Sequence, residues 1–164
     1  MTLVATGQTA PDFTLSRLEG KSYSLKDATA KGLALVVFYK DTCPTCQFTL
    51  PFIERIHKAY NDKGLKVLGI EQDDPSRTAA FSAQYGLTFP VMAETGSYEV
   101  SNSYGISIVP TLFLVDKGGK LLYSGEGFVK TELAELSKLI AQKLGITDFE
   151  VFQPGEYVPA MKAG

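Results

Sequence analysis

The chain has 164 residues, 45% of them apolar, which fits one domain with a substantial hydrophobic core. Its formal net charge of −2, without any run or face of Lys and Arg, argues against a nucleic-acid partner. No stretch approaches the roughly 18 apolar residues of a membrane-spanning helix, and no signal peptide is visible at the start. We therefore expect a cytoplasmic protein as the sequence is written, or a periplasmic or extracytoplasmic one if a signal has been removed.

Strand and helix patterns alternate along the chain. A turn signal at 18–21 (LEGK) separates short strands at 13–15 and 22–25, which we expect to form a hairpin. The run at 33–39 is continuously apolar, with β-branched and aromatic residues, as in a strand buried on both faces of a sheet. The other predicted elements are a helix at 44–61 kinked by Pro51, a strand at 65–70, a helix at 75–85, a strand at 89–92, a helix at 98–104, strands at 111–115 and 121–124, and a helix at 130–144.

This order of elements predicts an α/β protein. We expect a mixed central sheet with helices on both faces and an N-terminal β-hairpin extension, all within residues 1–144. Residues 145–164 fit no element, yet they carry Phe149, Phe152 and Tyr157. We interpret them as an extended C-terminal tail packed on the surface of the domain, with an interaction arm or a lid as the alternative.

Both cysteines of the chain lie in one stretch, 41–48 (DTCPTCQF). The strand ends near Tyr39 and the helix begins near Pro44, so Cys43 is expected at the helix N-cap. There, unpaired backbone N–H groups and the positive end of the helix dipole favour a thiolate. Cys46 falls in the first turn, within reach of Cys43 but more buried. An exposed thiolate beside a second thiol is the arrangement that thiol–disulfide exchange requires.

Two other interpretations of this cysteine pair remain open. A zinc site usually takes four ligands, whereas this chain offers one cysteine pair and His57, so we expect no metal. Two inert buried thiols are the second alternative, because free cysteine is commonly buried. Inert thiols, however, have no reason to lie at a strand-to-helix junction.

Several motifs in order resemble a known family. A strand, then Cys-Pro-Thr-Cys, then a helix with Pro51 eight residues after the first cysteine resembles thioredoxins, and Ile108-Val-Pro-Thr111 resembles their cis-proline loop. Ala10-Pro-Asp-Phe13 and Asp116-Lys-Gly-Gly-Lys120 resemble the alkyl hydroperoxide reductase/thiol-specific antioxidant superfamily, and within it the TlpA/ResA-type thiol–disulfide oxidoreductases. The resemblance covers about residues 8–144 and implies a thioredoxin fold.

The resemblance also implies roles for individual residues. Cys43 would be the nucleophile, Cys46 the resolving thiol, and Pro110 a cis-proline that faces the disulfide. The backbone beside that proline would face an incoming chain, which could pair with it briefly as an added strand. The residues that we expect to contact a substrate are Val109, Pro44 and Thr45.

One position departs from the thioredoxin pattern. Thioredoxins carry a buried aspartate six residues before the first cysteine, and this chain has Val37 there. TlpA/ResA-type proteins instead place a carboxylate just after the next strand, where this chain offers Glu71, Asp73 and Asp74. We favour Asp73 or Asp74 as the group that takes the proton from the resolving thiol. The alternative is a solvated acidic loop that caps the following helix.

The predicted function is a thiol–disulfide oxidoreductase that exchanges the Cys43–Cys46 pair with proteins, as a reductant by analogy with the family. We expect no cofactor, and as partners protein thiols or disulfides and an upstream dithiol donor. A peroxidase of the same superfamily is the first alternative, although Val36 and Lys40 stand where its Pro and Thr are expected. A copper chaperone on this fold ranks lower, because it needs a Cys-x-x-x-Cys spacing. The last alternative is an interaction module with a purely structural cysteine pair.

Overall fold

The computed structural model describes residues 2–164. Within that range no helix combines the length and the apolar character needed to cross a membrane. The helices and strands, in chain order, are β1 (Thr14–Ser16), β2 (Ser22–Ser24), α1 (Leu25–Thr29), β3 (Leu33–Tyr39), α2 (Pro44–Tyr60), β4 (Leu65–Glu71), α3 (Pro75–Tyr85), β5 (Val91–Ala93), α4 (Glu99–Tyr104), β6 (Thr111–Val115), β7 (Leu121–Glu126), β8 (Phe128–Val129), α5 (Lys130–Leu144) and β9 (Met161–Lys162).

The central sheet has the strand order β5-β4-β3-β6-β7. Strand β3 pairs in parallel with β4 and antiparallel with β6, so the sheet is mixed. Every residue of β3 is buried, which explains why this strand is a continuous apolar run in the sequence. Strands β1 and β2 form a separate antiparallel hairpin. The predicted mixed sheet and N-terminal hairpin are therefore confirmed.

Alternate residues of β3 contribute to two hydrophobic layers on opposite faces of the sheet. One layer contains Val37 together with Ile53 of α2 and Leu136 of α5. The other contains Phe38 together with Tyr104 of α4, and it also includes residues of α1. Helices thus cover both faces, as predicted, and α2 carries the cysteine motif at the edge where β3 and β4 end.

Helix α1 was not among the predicted elements, because residues 22–25 alternate like a strand. A reciprocal cap starts this helix: the hydroxyl of Ser24 accepts from the backbone N–H of Asp27 at 3.0 Å. In return, the Asp27 carboxylate accepts from the Ser24 N–H at 2.9 Å. This capping box satisfies two donors that would otherwise lack partners at the start of the helix.

The tail, residues 145–164, runs over the surface beside α2 and includes β9, which pairs antiparallel with β8. Arg55 of α2 donates to both carboxylate oxygens of Glu156, at 2.8 and 2.7 Å, and to the carbonyl oxygen of Val151 at 2.9 Å. The ring of Phe152 packs edge-on against Phe52, with the centroids 5.1 Å apart. Polar and apolar contacts thus attach the tail to the domain.

Candidate active site

Cys43 is the N-cap residue of α2, with an extended backbone (φ −92°, ψ 111°) and Pro44 in the first turn. Its Sγ accepts a hydrogen bond from the backbone N–H of Cys46 at 3.1 Å. The same sulfur lies 3.5 Å from the carbonyl oxygen of Val109, to which the thiol donates. Cys43 is half-buried. A backbone donor of the helix N-terminus therefore already points at the sulfur that would carry a negative charge.

Cys46 differs from Cys43 in being fully enclosed. Burial raises the pKa of the Cys46 thiol, and the hydrogen bond with Cys43 and the charge of Glu71 raise it further. A thiol with a raised pKa is protonated at neutral pH, so it needs a base before it can attack another sulfur. The structure thus gives the two free cysteines unequal environments, one accessible and one enclosed.

The loop before β6 faces the first cysteine. Its Val109–Pro110 peptide bond is cis, and Pro110 is buried. The hydroxyl of Thr111 donates to the carbonyl oxygen three residues earlier at 2.8 Å, and the N–H of Gly127 donates to the carbonyl oxygen of Pro110 at 2.8 Å. These bonds hold the loop whose Val109 carbonyl oxygen lies 3.5 Å from Sγ of Cys43.

A buried carboxylate lies at the end of β4. Glu71 is paired in register with Tyr39 on the parallel strand β3, is 0% exposed, and neither of its carboxylate oxygens has a hydrogen-bond partner among residues 2–164. Burial raises the pKa of Glu71 from 4.5 to about 7, and the charges of Asp73 and Asp41 act in the same direction, whereas the nearby Thr78 hydroxyl and the charge of Arg77 oppose the rise. Because a general base works best with a pKa near the operating pH, this carboxylate suits proton transfer at neutral pH. The negative charge of ionised Glu71 also raises the pKa of the Cys46 thiol.

Asp73 and Asp74, which we favoured as the proton acceptor, have other partners in the structure. Asp74 is the N-cap of α3, where its carboxylate accepts from the N–H of Arg77 at 2.8 Å. Asp73 pairs with the guanidinium of Arg77 at 3.1 Å. Both aspartates thus have partners at the start of α3, whereas Glu71 is the last residue of β4. The distinguishing signal is strand register, since Glu71 ends a buried strand whereas the two aspartates belong to the loop that starts α3.

Asp41, two residues before Cys43, connects the cysteine loop to α3. Arg77 donates from Nε and Nη2 to the two carboxylate oxygens of Asp41, at 2.7 and 2.6 Å. Burial opposes ionisation, but the hydrogen bonds from Arg77 hold the pKa of Asp41 below its ordinary value. No sequence pattern indicated this bidentate pair, which fixes the loop that precedes Cys43.

The end of the tail lies against the cysteine motif. The hydroxyl of Thr45 donates to the carbonyl oxygen of Ala163 at 2.5 Å, and Thr45 is buried. Gly164 lies so close to the cis-proline loop that a Cβ added to it would stand 2.7 Å from the carbonyl oxygen of Val109. Thr45 and Val109, two of the three predicted substrate contacts, are thus in contact with the protein's own chain, whereas Pro44 is exposed.

The side chains that could bind a metal ion were expected to be too few for a metal site. Within residues 2–164 there is no group of three or more His, Cys, Asp or Glu side chains that could hold a metal ion. His57 lies in α2 with its ring against Phe89, the centroids 5.8 Å apart. The donor set of the site is therefore a pair of thiols and a carboxylate.

Known proteins resemble this chain in sequence. The sequence model of the AhpC/TSA family matches residues 6–124. The chain belongs to the AhpC/TSA family. The thiol-disulfide oxidoreductase ResA of Geobacillus thermodenitrificans is 37% identical to it over 121 residues, which is 73% of this chain and 68% of the relative. ResA of Bacillus thuringiensis is 35% identical over 136 residues, 82% of this chain and 78% of the relative.

Solved structures of thiol–disulfide oxidoreductases also resemble this chain in fold. The thioredoxin domain of a thiol-disulfide oxidoreductase from Bacteroides vulgatus superposes with a TM-score of 0.74 at 26% identity, covering 84% of this chain and 99% of that one. A thiol:disulfide interchange protein from Bacteroides sp. gives a TM-score of 0.74 at 27% identity, covering 85% and 92%. The predicted thioredoxin fold, and the predicted class of enzyme, a thiol–disulfide oxidoreductase, are confirmed.

Proposed function

We propose that this protein reduces disulfides in other proteins, with Cys43 as the nucleophile and Cys46 as the resolving thiol. The observation that carries the proposal is the unequal burial of the two cysteines at the N-terminus of α2. Cys43 is accessible, accepts a backbone hydrogen bond and faces the cis-proline loop, whereas Cys46 is enclosed. An accessible attacking sulfur with an enclosed second thiol is suited to capturing a substrate and then releasing it.

In the first step, the Cys43 thiolate attacks one sulfur of the substrate disulfide. The substrate S–S bond breaks, its other sulfur leaves as a thiolate, and a mixed disulfide forms through Cys43. The N–H of Cys46, 3.1 Å from the attacking sulfur, stabilises the thiolate before attack. No electrons leave the pair of proteins in this step, because one disulfide has replaced another.

In the second step, Glu71 accepts the proton of the Cys46 thiol. The Cys46 thiolate attacks Sγ of Cys43, the substrate's second sulfur leaves as a thiolate, and the Cys43–Cys46 disulfide forms. Two electrons have then passed from the dithiol to the substrate. A pKa of about 7 allows Glu71 to pass the proton on at neutral pH, which returns the carboxylate to its starting state.

Reduction is the direction that the resemblance to TlpA/ResA-type proteins implies, and it requires an upstream dithiol donor to regenerate the Cys43–Cys46 pair. Equilibration with mixtures of reduced and oxidised glutathione would measure the reduction potential of that pair. A reductant should have a potential at or below that of the glutathione pool, about −220 mV or lower. A potential near −120 mV, typical of a strong oxidant, would reverse the proposed direction.

A trapping experiment tests the two cysteine roles. In a Cys46→Ser variant the mixed disulfide cannot be resolved, so a disulfide-bonded protein substrate should remain attached through Cys43 on a non-reducing gel. The matched Cys43→Ser variant should trap nothing. Equal trapping by both variants would show that the roles are assigned wrongly. Rapid consumption of hydrogen peroxide by the wild-type protein, without reduction of a protein disulfide, would favour the peroxidase alternative.

A further inference from the structure

The end of the tail, residues 161–164, lies where an extended substrate chain would bind. A chain that added itself to the cis-proline loop would use the backbone of Val109 and pass over the Cys-Pro-Thr-Cys turn. Gly164 occupies the space next to the Val109 carbonyl oxygen, since an added Cβ would meet that oxygen at 2.7 Å. The carbonyl oxygen of Ala163 takes the hydroxyl hydrogen bond of Thr45.

Contacts further back along the tail hold this segment in place. Its residues Met161 and Lys162 pair with Val129 and Phe128 in the β8–β9 ladder. The N–H of Lys130 donates to the carbonyl oxygen of Ala160 at 2.9 Å. Because the segment is paired as a strand and not merely laid on the surface, an incoming chain that needed the same space would have to break these bonds.

The approach to Cys43 over Pro44 remains exposed. Ile108 in the cis-proline loop lies on the side of the tail, since a Cβ added to Gly164 would stand 3.3 Å from its Cδ1. A disulfide that reaches Cys43 over Pro44 therefore has no need of the space that Gly164 fills beside Val109 and Ile108. The geometry therefore distinguishes two classes of substrate: small or locally protruding disulfides, which need only this open approach, and extended polypeptides, which also need the position of residues 161–164.

We propose that residues 161–164 are a specificity-determining segment of the oxidoreductase, which admits small and protruding disulfides to Cys43 and disfavours extended polypeptide chains. This inference rests on the proposed function, because it assumes that Cys43 attacks the substrate and that substrates can add to the loop at Val109. Displacing the segment should open the strand-like binding position without changing the sulfur chemistry.

Two disulfides with the same leaving group test this inference. One is 5,5′-dithiobis(2-nitrobenzoate), and the other is a synthetic peptide of about twelve residues whose central cysteine carries the same nitrothiobenzoate group. The released thiolate absorbs visible light, so both second-order rate constants come from one assay. The test variant is Gly164→Val, whose side chain cannot fit against the Val109 carbonyl oxygen. The matched control is Met161→Gln, on the same strand but 65% exposed.

We expect Gly164→Val to raise the rate constant for the peptide about fivefold to tenfold, the equivalent of one net hydrogen bond. The small disulfide should react as with the wild-type protein, and Met161→Gln should change neither rate. An unchanged ratio of the two rates would overturn the inference, and so would a slower reaction with the peptide. If the wild-type protein reacts with neither compound, the proposed function fails instead.

Hydrogen exchange gives a second test that needs no change in the tail. In the Cys46→Ser variant, the peptide can be held on Cys43 as a stable mixed disulfide. If the peptide displaces residues 161–164, the β8–β9 ladder is lost, and the amide of Phe128, which pairs with Lys162, should exchange at least about tenfold faster. The same variant carrying only nitrothiobenzoate on Cys43 is the control. Equal exchange in the two adducts would overturn the inference.

Discussion

Replacing Glu71 by Gln should stabilise the protein at neutral and alkaline pH while slowing the step in which Cys46 attacks. The carboxylate is fully enclosed, and neither oxygen has a hydrogen-bond partner among residues 2–164. Folding therefore penalises its ionised form. Glutamine has the shape of the protonated acid but cannot ionise, so the variant keeps the packing and loses both the penalty and the base.

The magnitude follows from the pKa of Glu71, which rises from 4.5 to about 7 on folding. At about 1.4 kcal/mol for each pKa unit, the ionised side chain costs about 3 kcal/mol. Between these two pH values the folded state holds a proton that the unfolded chain releases, so the free energy of unfolding of the wild-type protein falls as the pH rises. The Glu71→Gln curve should meet the wild-type curve near pH ~4 and lie about 3 kcal/mol above it at pH ~8.

Urea unfolding of both proteins across this pH range, with the cysteines kept reduced, measures the difference. The matched control is Glu94→Gln, because Glu94 is also buried but accepts hydrogen bonds from the N–H of Val100 at 2.6 Å and the hydroxyl of Ser101 at 2.5 Å. That variant should lose stability at pH ~8, by about 1–3 kcal/mol. Parallel pH curves for the wild-type protein and Glu71→Gln would refute the reasoning, as would a less stable Glu71→Gln at pH ~8.

Two further predictions concern the attachment of the tail. Tyr60→Phe removes a buried hydroxyl that accepts from the N–H of Phe149 and bonds the hydroxyl of Ser137, both at 2.8 Å; urea unfolding should show a loss of about 1–3 kcal/mol, and an unchanged stability would contradict it. Arg55→Gln breaks the bidentate pair with Glu156, whose pKa the hydrogen bond from Arg55 holds at about 2. Hydrogen exchange at residues 149–158 should quicken in this variant at neutral pH, and equal exchange would show that the pair does not hold the tail.

The central strand of the sheet was predictable because a strand that is buried on both faces is a continuous run of apolar residues. The predicted strand at 33–39 coincides with β3 (Leu33–Tyr39), and the predicted helices at 75–85 and 130–144 coincide with α3 and α5. Gly86 and Gly145 end these two helices in the left-handed conformation that glycine adopts without strain. For these two helices, the apolar periodicity and the terminal glycine indicate the same end, so the sequence alone predicts their bounds.

The cysteine motif was predictable for a different reason, because the chemistry of a helix N-terminus is local. The contacts of Thr45 and Val109 with the tail were not predictable. Ala163 is 118 positions from Thr45, and residues 145–164 contain no periodic pattern that would indicate their path. An extended segment pairs through its backbone, which is the same for nearly every residue, so the sequence records little about where it will lie.

The choice among three neighbouring acids shows what the structure adds to the chemistry. Glu71, Asp73 and Asp74 lie within four residues, and only the end of the buried strand β4 separates Glu71 from the two aspartates. A helix cap accounts for Asp74, and an ion pair with Arg77 accounts for Asp73. Glu71 is enclosed, without a hydrogen-bond partner in the described chain, and its ionisation opposes folding. A buried carboxylate whose ionisation opposes folding, and whose charge raises the pKa of the Cys46 thiol, fits the proton transfer that we propose for Glu71.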